Sequence, residues 1–254
     1  MYMKKSFLLL VLATFPLFAM AQASGGQITR PNDRSTYRSS HNMRAKTTPN
    51  QINRDKTKVS EPDNYINGHG YVDLGLPSGT KWATCNVGAN TPEEYGYYLA
   101  WGEIEPKNEY KWKETPLFGA TIDDISNNQN YDVAKIKWGD GWAIPTKHQW
   151  DELMRYCKLK VIKKNGISGL LFIGKKGKSV FFPSGGKIID TLLQFESCDG
   201  YYWSSNADYT YQGDPAYTPN GFSTNFHTST TSDGIVFSEP ASRGDGHNVR
   251  PVTK

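Results

Sequence analysis

The sequence predicts an α+β domain built from short antiparallel strands, one main helix and long loops. Three observations predict it. Residues 146–158 are the only stretch with a clean 3.6-residue apolar period. Several segments of four to eight residues alternate polar and apolar and are bounded by Gly, Pro or Asn. Between them run polar stretches too irregular for either element, as at 103–134 and 206–220. Few helices, many short strands and long connections belong to the α+β class.

The first 21 residues read as a secretory signal. Lys4 and Lys5 supply the basic end, Phe7 to Ala19 is uncharged and mostly apolar, and Ala19-Met20-Ala21 is a small-residue cleavage site. The apolar run is too short to cross a hydrocarbon core of about 30 Å, and Pro16 interrupts it, so no membrane span is expected. Residues 22–66 contain no Leu, Phe or Trp. Such a segment cannot bury enough apolar area to offset the entropy of ordering it, and it reads as a disordered basic linker. Eight basic against four acidic residues lie there. The formal charge of +4 therefore belongs to the leader. The remainder, 67–254, is slightly acidic, which argues against nucleic acid as its partner. All 7 Trp lie in this third part.

Within 67–254, Tyr71–Leu76, the Pro77-Ser78-Gly79 turn and Thr80–Val87 form a hairpin pattern. Thr91-Pro92-Glu93-Glu94 has the signature of a helix start, cut to a turn or two by Gly96, and Tyr97–Trp101 follows as a strand. In the main helix Thr146 is the cap and Gln149 the capping-box residue, with Trp150, Leu153, Met154 and Cys157 on one face. Leu170–Ile173, the turn at 174–177 and Ser179–Phe182 make a second hairpin, and Tyr201-Tyr202-Trp203 a buried strand. Short strands are expected near 221–227, 234–238 and 247–252. Trp82, Trp101, Trp142, Trp150 and Trp203 stand among apolar or Gly neighbours and are assigned to the core.

The order of these segments carries a resemblance. Tyr71-Val-Asp-Leu-Gly-Leu-Pro-Ser-Gly-Thr-Lys-Trp-Ala-Thr-Cys-Asn-Val-Gly-Ala89 opens the domain, followed by Ala100-Trp-Gly-Glu103, Gly141-Trp-Ala-Ile-Pro-Thr146, Trp150-Asp-Glu-Leu153 and Phe181-Phe-Pro183. Tyr202-Trp-Ser-Ser205 and Val249-Arg-Pro-Val252 close it. This run resembles the Fibrobacter succinogenes major paralogous domain family of Bacteroidota secreted proteins, across roughly residues 68–252. The resemblance implies an exported bacterial protein with a C-type-lectin-like fold, related to the formylglycine-generating-enzyme group, and makes Arg250 of the closing motif a structural residue. Two positions depart from it: Ala143 stands where the family usually has Arg, and Gln149 where it usually has an acid. Three cysteines allow one disulfide or none. Cys85 and Cys157 both fall in the family pattern, which makes them the preferred pair if one forms; free cysteines acting as small buried hydrophobes fit equally well.

Catalytic signatures are absent. There is no G-x-S-x-G, H-E-x-x-H or phosphate-binding G-x-x-x-x-G-K-S/T motif. Residues 238–248 lack the cysteine pair with which the related formylglycine-generating enzymes bind copper. The five histidines are scattered, and neither the Glu-Pro-Asn nor the Trp-Asn-Asp pattern of calcium-dependent sugar lectins occurs in the domain. No metal or cofactor is expected. Arg243-Gly244-Asp245 is an adhesion-type tripeptide, though the resemblance gives its Arg a structural role. The candidate binding segment is 206–220, with Asp208, Tyr209, Tyr211, Asp214, Tyr217 and Asn220. Tyrosine provides flat contact area at low entropic cost and Asn and Asp adaptable hydrogen bonds, the composition of recognition loops. The expectation is an exported, non-catalytic module that binds a glycan or a protein. The alternatives are a cell-envelope or fimbria-associated structural module and, third, an enzyme acting on polysaccharide.

Overall fold

The computed structural model describes residues 58–209, 220–228 and 235–254. In chain order the strands are β1 (Asn64–Ile66), β2 (His69–Val72), β3 (Lys81–Ala83), β4 (Lys158–Lys164), β5 (Ile167–Ile173), β6 (Ser179–Pro183), β7 (Lys187–Ile189), β8 (Leu192–Gln194), β9 (Asp199–Asp208), β10 (Asn220–His227), β11 (Ile235–Ala241) and β12 (Val252–Thr253). The helices are α1 (Val133–Trp138) and α2 (Lys147–Tyr156), with a single 3-10 turn at Trp112–Glu114. The class is α+β and rich in sheet.

Four small sheets carry the fold, in the orders β1-β2-β3-β12, β4-β5-β6, β7-β8 and β11-β10-β9. Two tight hairpins set registers. Asn67-Gly68 joins β1 to β2 and Asn165-Gly166 joins β4 to β5, and all four residues have positive φ. This is the geometry for which Asn-Gly is selected, because its twist matches that of the flanking strands. β1 lies inside the segment assigned above to the linker. It pairs with β2, and Ser60 bonds to Ser179 while Asp63 meets Lys178 at 2.5 Å. The folded unit therefore reaches back at least to residue 58, and residue 67, the expected boundary, sits in the middle of a hairpin.

Helix α2 forms where its capping box predicts. Thr146 Oγ1 accepts from the Gln149 amide, and Gln149 Oε1 accepts from the Thr146 amide at 2.8 Å. Its inner face sets Trp150 at 4.6 Å from Trp82, 5.4 Å from Phe182 and 5.9 Å from Tyr202, ring centre to ring centre. Helix α1 was not apparent in the sequence. Its cap, Asp132, is fully buried and accepts from the amides of Ala134, Lys135, Asn127 and Ile144, which stitches the helix to the chain on both sides. Two expected elements are weaker than predicted. Thr91–Glu94 makes one turn, and of 97–101 only Leu99 pairs, with His247.

The core has two clusters. Val72, Trp82, Trp150, Phe172, Phe182 and Tyr202 fill one; Leu99, Trp101, Val133, Trp142, Trp203 and Val249 fill the other. Trp82, Trp101, Trp142, Trp150 and Trp203 are all buried. Arg250, also fully buried, has no acidic partner among the described residues. Its Nε donates to Asn86 Oδ1 (2.8 Å), Nη1 to the carbonyls of Ala83 (3.0 Å) and Thr84 (2.6 Å), and Nη2 to that of Phe181 (3.0 Å). The guanidinium also lies 4.6 Å from the Phe182 ring centre. Carbonyl oxygens and a π-face replace the water lost on burial. The Cys85–Cys157 disulfide is not formed; all three cysteines are free. Cys157 ends α2 and packs against the first cluster, where burial, with Glu152 nearby, pushes its thiol up to about 12. It is a small hydrophobe there.

Candidate functional site

Residues 123–125 of the first long polar segment meet the opening residues of the second, 206–208, along β9. Ile125 donates to the Ser205 carbonyl (3.0 Å), Ala207 to that of Asp123 (2.8 Å), and Asp124 bridges Asn206. Asn206 Oδ1 accepts from the amide of Lys147 at the start of α2 (2.7 Å). Small polar residues at 204–208 thus continue the strand instead of opening a loop, because the 123–125 segment and α2 satisfy their hydrogen bonds.

Arg243 anchors this edge from beneath. It is buried, stacks 4.1 Å from the Trp101 ring centre, and donates from Nη1 to the carbonyls of Leu117 (3.3 Å) and Ala120 (3.1 Å). The Tyr209 hydroxyl lies near the guanidinium and near Asp123, it is buried, and burial raises its pKa. Burial lowers that of Arg243.

Of the six predicted contact residues, Asp208 is therefore buried and Tyr209 turns inward, so neither is the free surface group expected. Asn220 opens β10 opposite Asp208. Tyr211, Asp214 and Tyr217 lie outside the described residues. In the 103–131 segment, Phe118 is exposed.

The adhesion-type tripeptide is not presented. Arg243 faces the core, and Asp245 pairs with Lys187 at 3.3 Å. Sequence reasoning missed a neighbouring cluster. Ser223 Oγ lies 2.9 Å from His247 Nδ1, and His247 Nε2 lies 3.9 Å from Asp245 Oδ2. These are the residue types of a nucleophile relay. The serine is fully buried, however, and its hydroxyl bonds to Asn225 Oδ1 at 2.6 Å, so its proton points away from the imidazole. Asn225 is oriented by its own bond to Glu239. His247 stacks on Trp203 at 4.1 Å, and burial pulls its pKa well below the ordinary value, which keeps it neutral. The cluster is a core polar network. Its 24-residue sequence separation leaves no local signal by which it could be read in advance.

Ala143 and Gln149 both line a cavity of about 460 Å³ between the start of α2 and β12. The Gln149 carbonyl is occupied by the capping box and its amide donates to Thr80 Oγ1 (3.3 Å).

No family model, curated protein or solved structure matches the chain. Its functional reading therefore rests on its own geometry. Among the described residues, no three His, Cys, Asp or Glu side chains converge as a metal site, and no helix is long and apolar enough to cross a membrane.

Proposed function

We propose that the chain is an exported, non-catalytic binding module with a C-type-lectin-like fold, recognising a glycan or a protein at the bacterial surface or outside the cell. One observation carries this reading: the 117–125 stretch is hydrogen-bonded along the last residues of β9 and held from below by Arg243. The described residues of the two polar segments thus share one edge. Recognition loops on a fixed scaffold have this organisation. The basic, apolar and small-residue regions of 1–21 support export, and the tyrosines at 211 and 217 support contact.

The test is a glycan-array and pull-down screen with the full chain, followed by the combined variant Phe118→Ala, Tyr211→Ala and Tyr217→Ala. Tyr209 is left intact because it supports Arg243. Affinity for the captured ligand should fall tenfold or more, for which ~1.4 kcal/mol suffices, with the Tm unchanged. Full affinity in a folded triple variant removes this surface from consideration.

A second reading, assembly into an envelope structure, is favoured by the β7–β8 hairpin. Leu192 and Leu193 of β8 and Phe195 just after it are each exposed, and exposed large apolar side chains this close in the chain favour protein contact. Light scattering distinguishes the two: a stable oligomer lost on Leu192→Ser with Phe195→Ser supports assembly, and a monomer opposes it.

A further inference from the structure

The charge of residues 67–254 is unevenly distributed. They carry 19 basic and 21 acidic side chains, yet eight of the basic ones lie within 155–178, a stretch with no Asp or Glu. This stretch holds the end of α2, all of β4 and β5, and most of the turn that leads to β6. A cationic run in a domain that is acidic elsewhere sets up a local positive potential.

The fold keeps these cations together and exposed. β4 is an edge strand and, among the described residues, pairs only with β5. Its register is unbroken from Lys158, opposite Ile173, to Lys164, opposite Ile167. Lys158 therefore sits at the end of β5 from which the 174–178 turn departs. Lys175 of that turn lies 5.3 Å from the Tyr156 ring centre, which brings the turn to the last residues of α2, where Arg155 stands. Glu93 takes Lys164 (3.2 Å), and Asp63 takes Lys178 and also faces Lys176. Arg155, Lys158, Lys160, Lys163 and Lys175 are exposed and, among the described residues, pair with no acid.

The arrangement selects among anionic partners. Side chains alternate along a strand. Lys158 and Lys160 thus point to one side of the sheet, and Lys163 to the other, the side on which Leu159 and Val161 pack against the core. The five residues from Lys158 to Lys163, at about 3.4 Å each, make a ridge about 17 Å long and not a plane. A flat membrane surface meets only one set of these lysines, whereas a flexible polyanionic chain lying along the edge meets both. Of the two aromatic residues in the stretch, Phe172 is buried and Tyr156 faces Lys175. The edge therefore lacks the open aromatic faces on which single-stranded nucleic acid stacks its bases. Lysine on an edge strand also discourages pairing with another sheet, but that role asks nothing of Arg155 and Lys175, which lie off the strand.

We infer that the β4 edge is a docking surface for an acidic polysaccharide, a linear chain bearing carboxylate or sulfate groups. This surface shares no residue with the loop edge and does not rest on the reading of that edge. The full chain is titrated calorimetrically with polygalacturonate, alginate and dextran sulfate at about 50 and 200 mM salt. Neutral dextran, single-stranded DNA and phosphatidylglycerol vesicles are the comparisons. The test variant combines Lys158→Gln, Lys160→Gln and Lys163→Gln. Two controls remove the same charge elsewhere: Lys111→Gln, Lys135→Gln and Lys137→Gln, which have acidic partners, and Arg38→Gln, Arg44→Gln and Lys46→Gln in the basic leader. Binding of at least one acidic polysaccharide, weakened tenfold or more by the β4 variant and weakened by the added salt, with less than a threefold change in either control, supports the surface. Preference for polygalacturonate and alginate over dextran sulfate assigns it to carboxylates, and the reverse preference to sulfates. Arg155→Gln with Lys175→Gln, off the strand, should weaken binding threefold or more, and keeps the test open if the β4 variant loses stability. No binding of any of the three chains at the lower salt overturns the inference. So does full affinity in a β4 variant with the parental Tm, an equal loss in the leader control, or tighter binding of neutral dextran, DNA or vesicles. The loop edge has its own variants, so either reading can fail alone.

Discussion

Two buried arginines mark two different regions of this molecule. Arg250 stands where the opening and closing motifs meet, and each of its nitrogens donates to an oxygen of Asn86, Ala83, Thr84 or Phe181. Arg243 stands under the loop edge. It donates from Nη1 alone, to the carbonyls of Leu117 and Ala120, and among the described residues its Nε and Nη2 make no further bond of hydrogen-bond geometry. Tyr209 is the side chain beside it. Both cations rest on an aromatic face, of Phe182 in one case and Trp101 in the other. A buried charge is tolerated only as far as its partners replace water. Arg250 is therefore part of the frame, and Arg243 holds an edge whose other contacts are left to the segments above it.

The largest effect should come from breaking that contrast. Arg250→Met keeps the apolar stem and leaves four oxygen acceptors without their donor. An unsatisfied buried group costs about 1–3 kcal/mol, so the sum rivals the whole stability of a domain, about 5–15 kcal/mol. The variant should be insoluble or unfolded. Arg243→Met removes the donor to the Leu117 and Ala120 carbonyls, but that of Leu117 still accepts from the Ala120 amide (3.1 Å), so one group loses its partner and the cost should be about 1–3 kcal/mol, leaving a folded protein measurable by urea denaturation. Equal losses in the two variants would show that the loop edge is as much a part of the frame as the motif junction.

A smaller effect tests where the frame begins. Removing residues 1–57 should leave the Tm unchanged. Removing 1–66 deletes β1, the Ser60 and Asp63 contacts with β6 and its preceding turn, and the Ile66 carbonyl that accepts from Trp142 Nε1 at 3.1 Å. With each hydrogen bond worth about 0.5–1.5 kcal/mol net, the loss should be about 2 kcal/mol or more, read as a fall in the urea midpoint. A midpoint that does not move would return 58–66 to the linker.

The same two regions differ in how much of them was legible beforehand. Local chemistry could be read directly. The capping box at Thr146 and Gln149 specifies a helix within four residues, and the alternation around Gly174–Gly177 specifies a hairpin. Asn67-Gly68 and Asn165-Gly166 are equally local hairpin signals, and they are the turns that bring in β1 and β4. The loop edge resisted reading for a different reason. Ser204–Asp208 is polar in sequence because its partners lie 80 residues away at 123–125. Polarity within a single segment does not distinguish a solvated loop from a buried strand bonded to a distant one. The same ambiguity conceals that the Tyr209 hydroxyl is buried.

The smallest expected effect is a slope. His247 belongs to the loop-edge side of the comparison: it stacks on Trp203 and faces Ser223, Asp245, Lys187 and Tyr201. Its folded pKa lies well below the ordinary value because burial opposes the charged form. The unfolded chain takes up that proton near pH 6.5, whereas the folded chain does not. Below this pH the unfolded state therefore holds more protons, and stability must fall as pH falls. One such group contributes at most ~1.4 kcal/mol per pH unit. His69, whose pKa burial also lowers, acts in the same direction. Asp132, raised by burial, acts the other way, but only around and above the carboxylate range. Urea midpoints between pH 7 and pH 5 should decline, and His247→Gln should flatten that decline while keeping a polar group near Ser223. A slope unchanged by the substitution would mean that His247 gains its proton in the folded state, through Asp245 at 3.9 Å, and that the polar network under the edge is looser than its buried geometry implies.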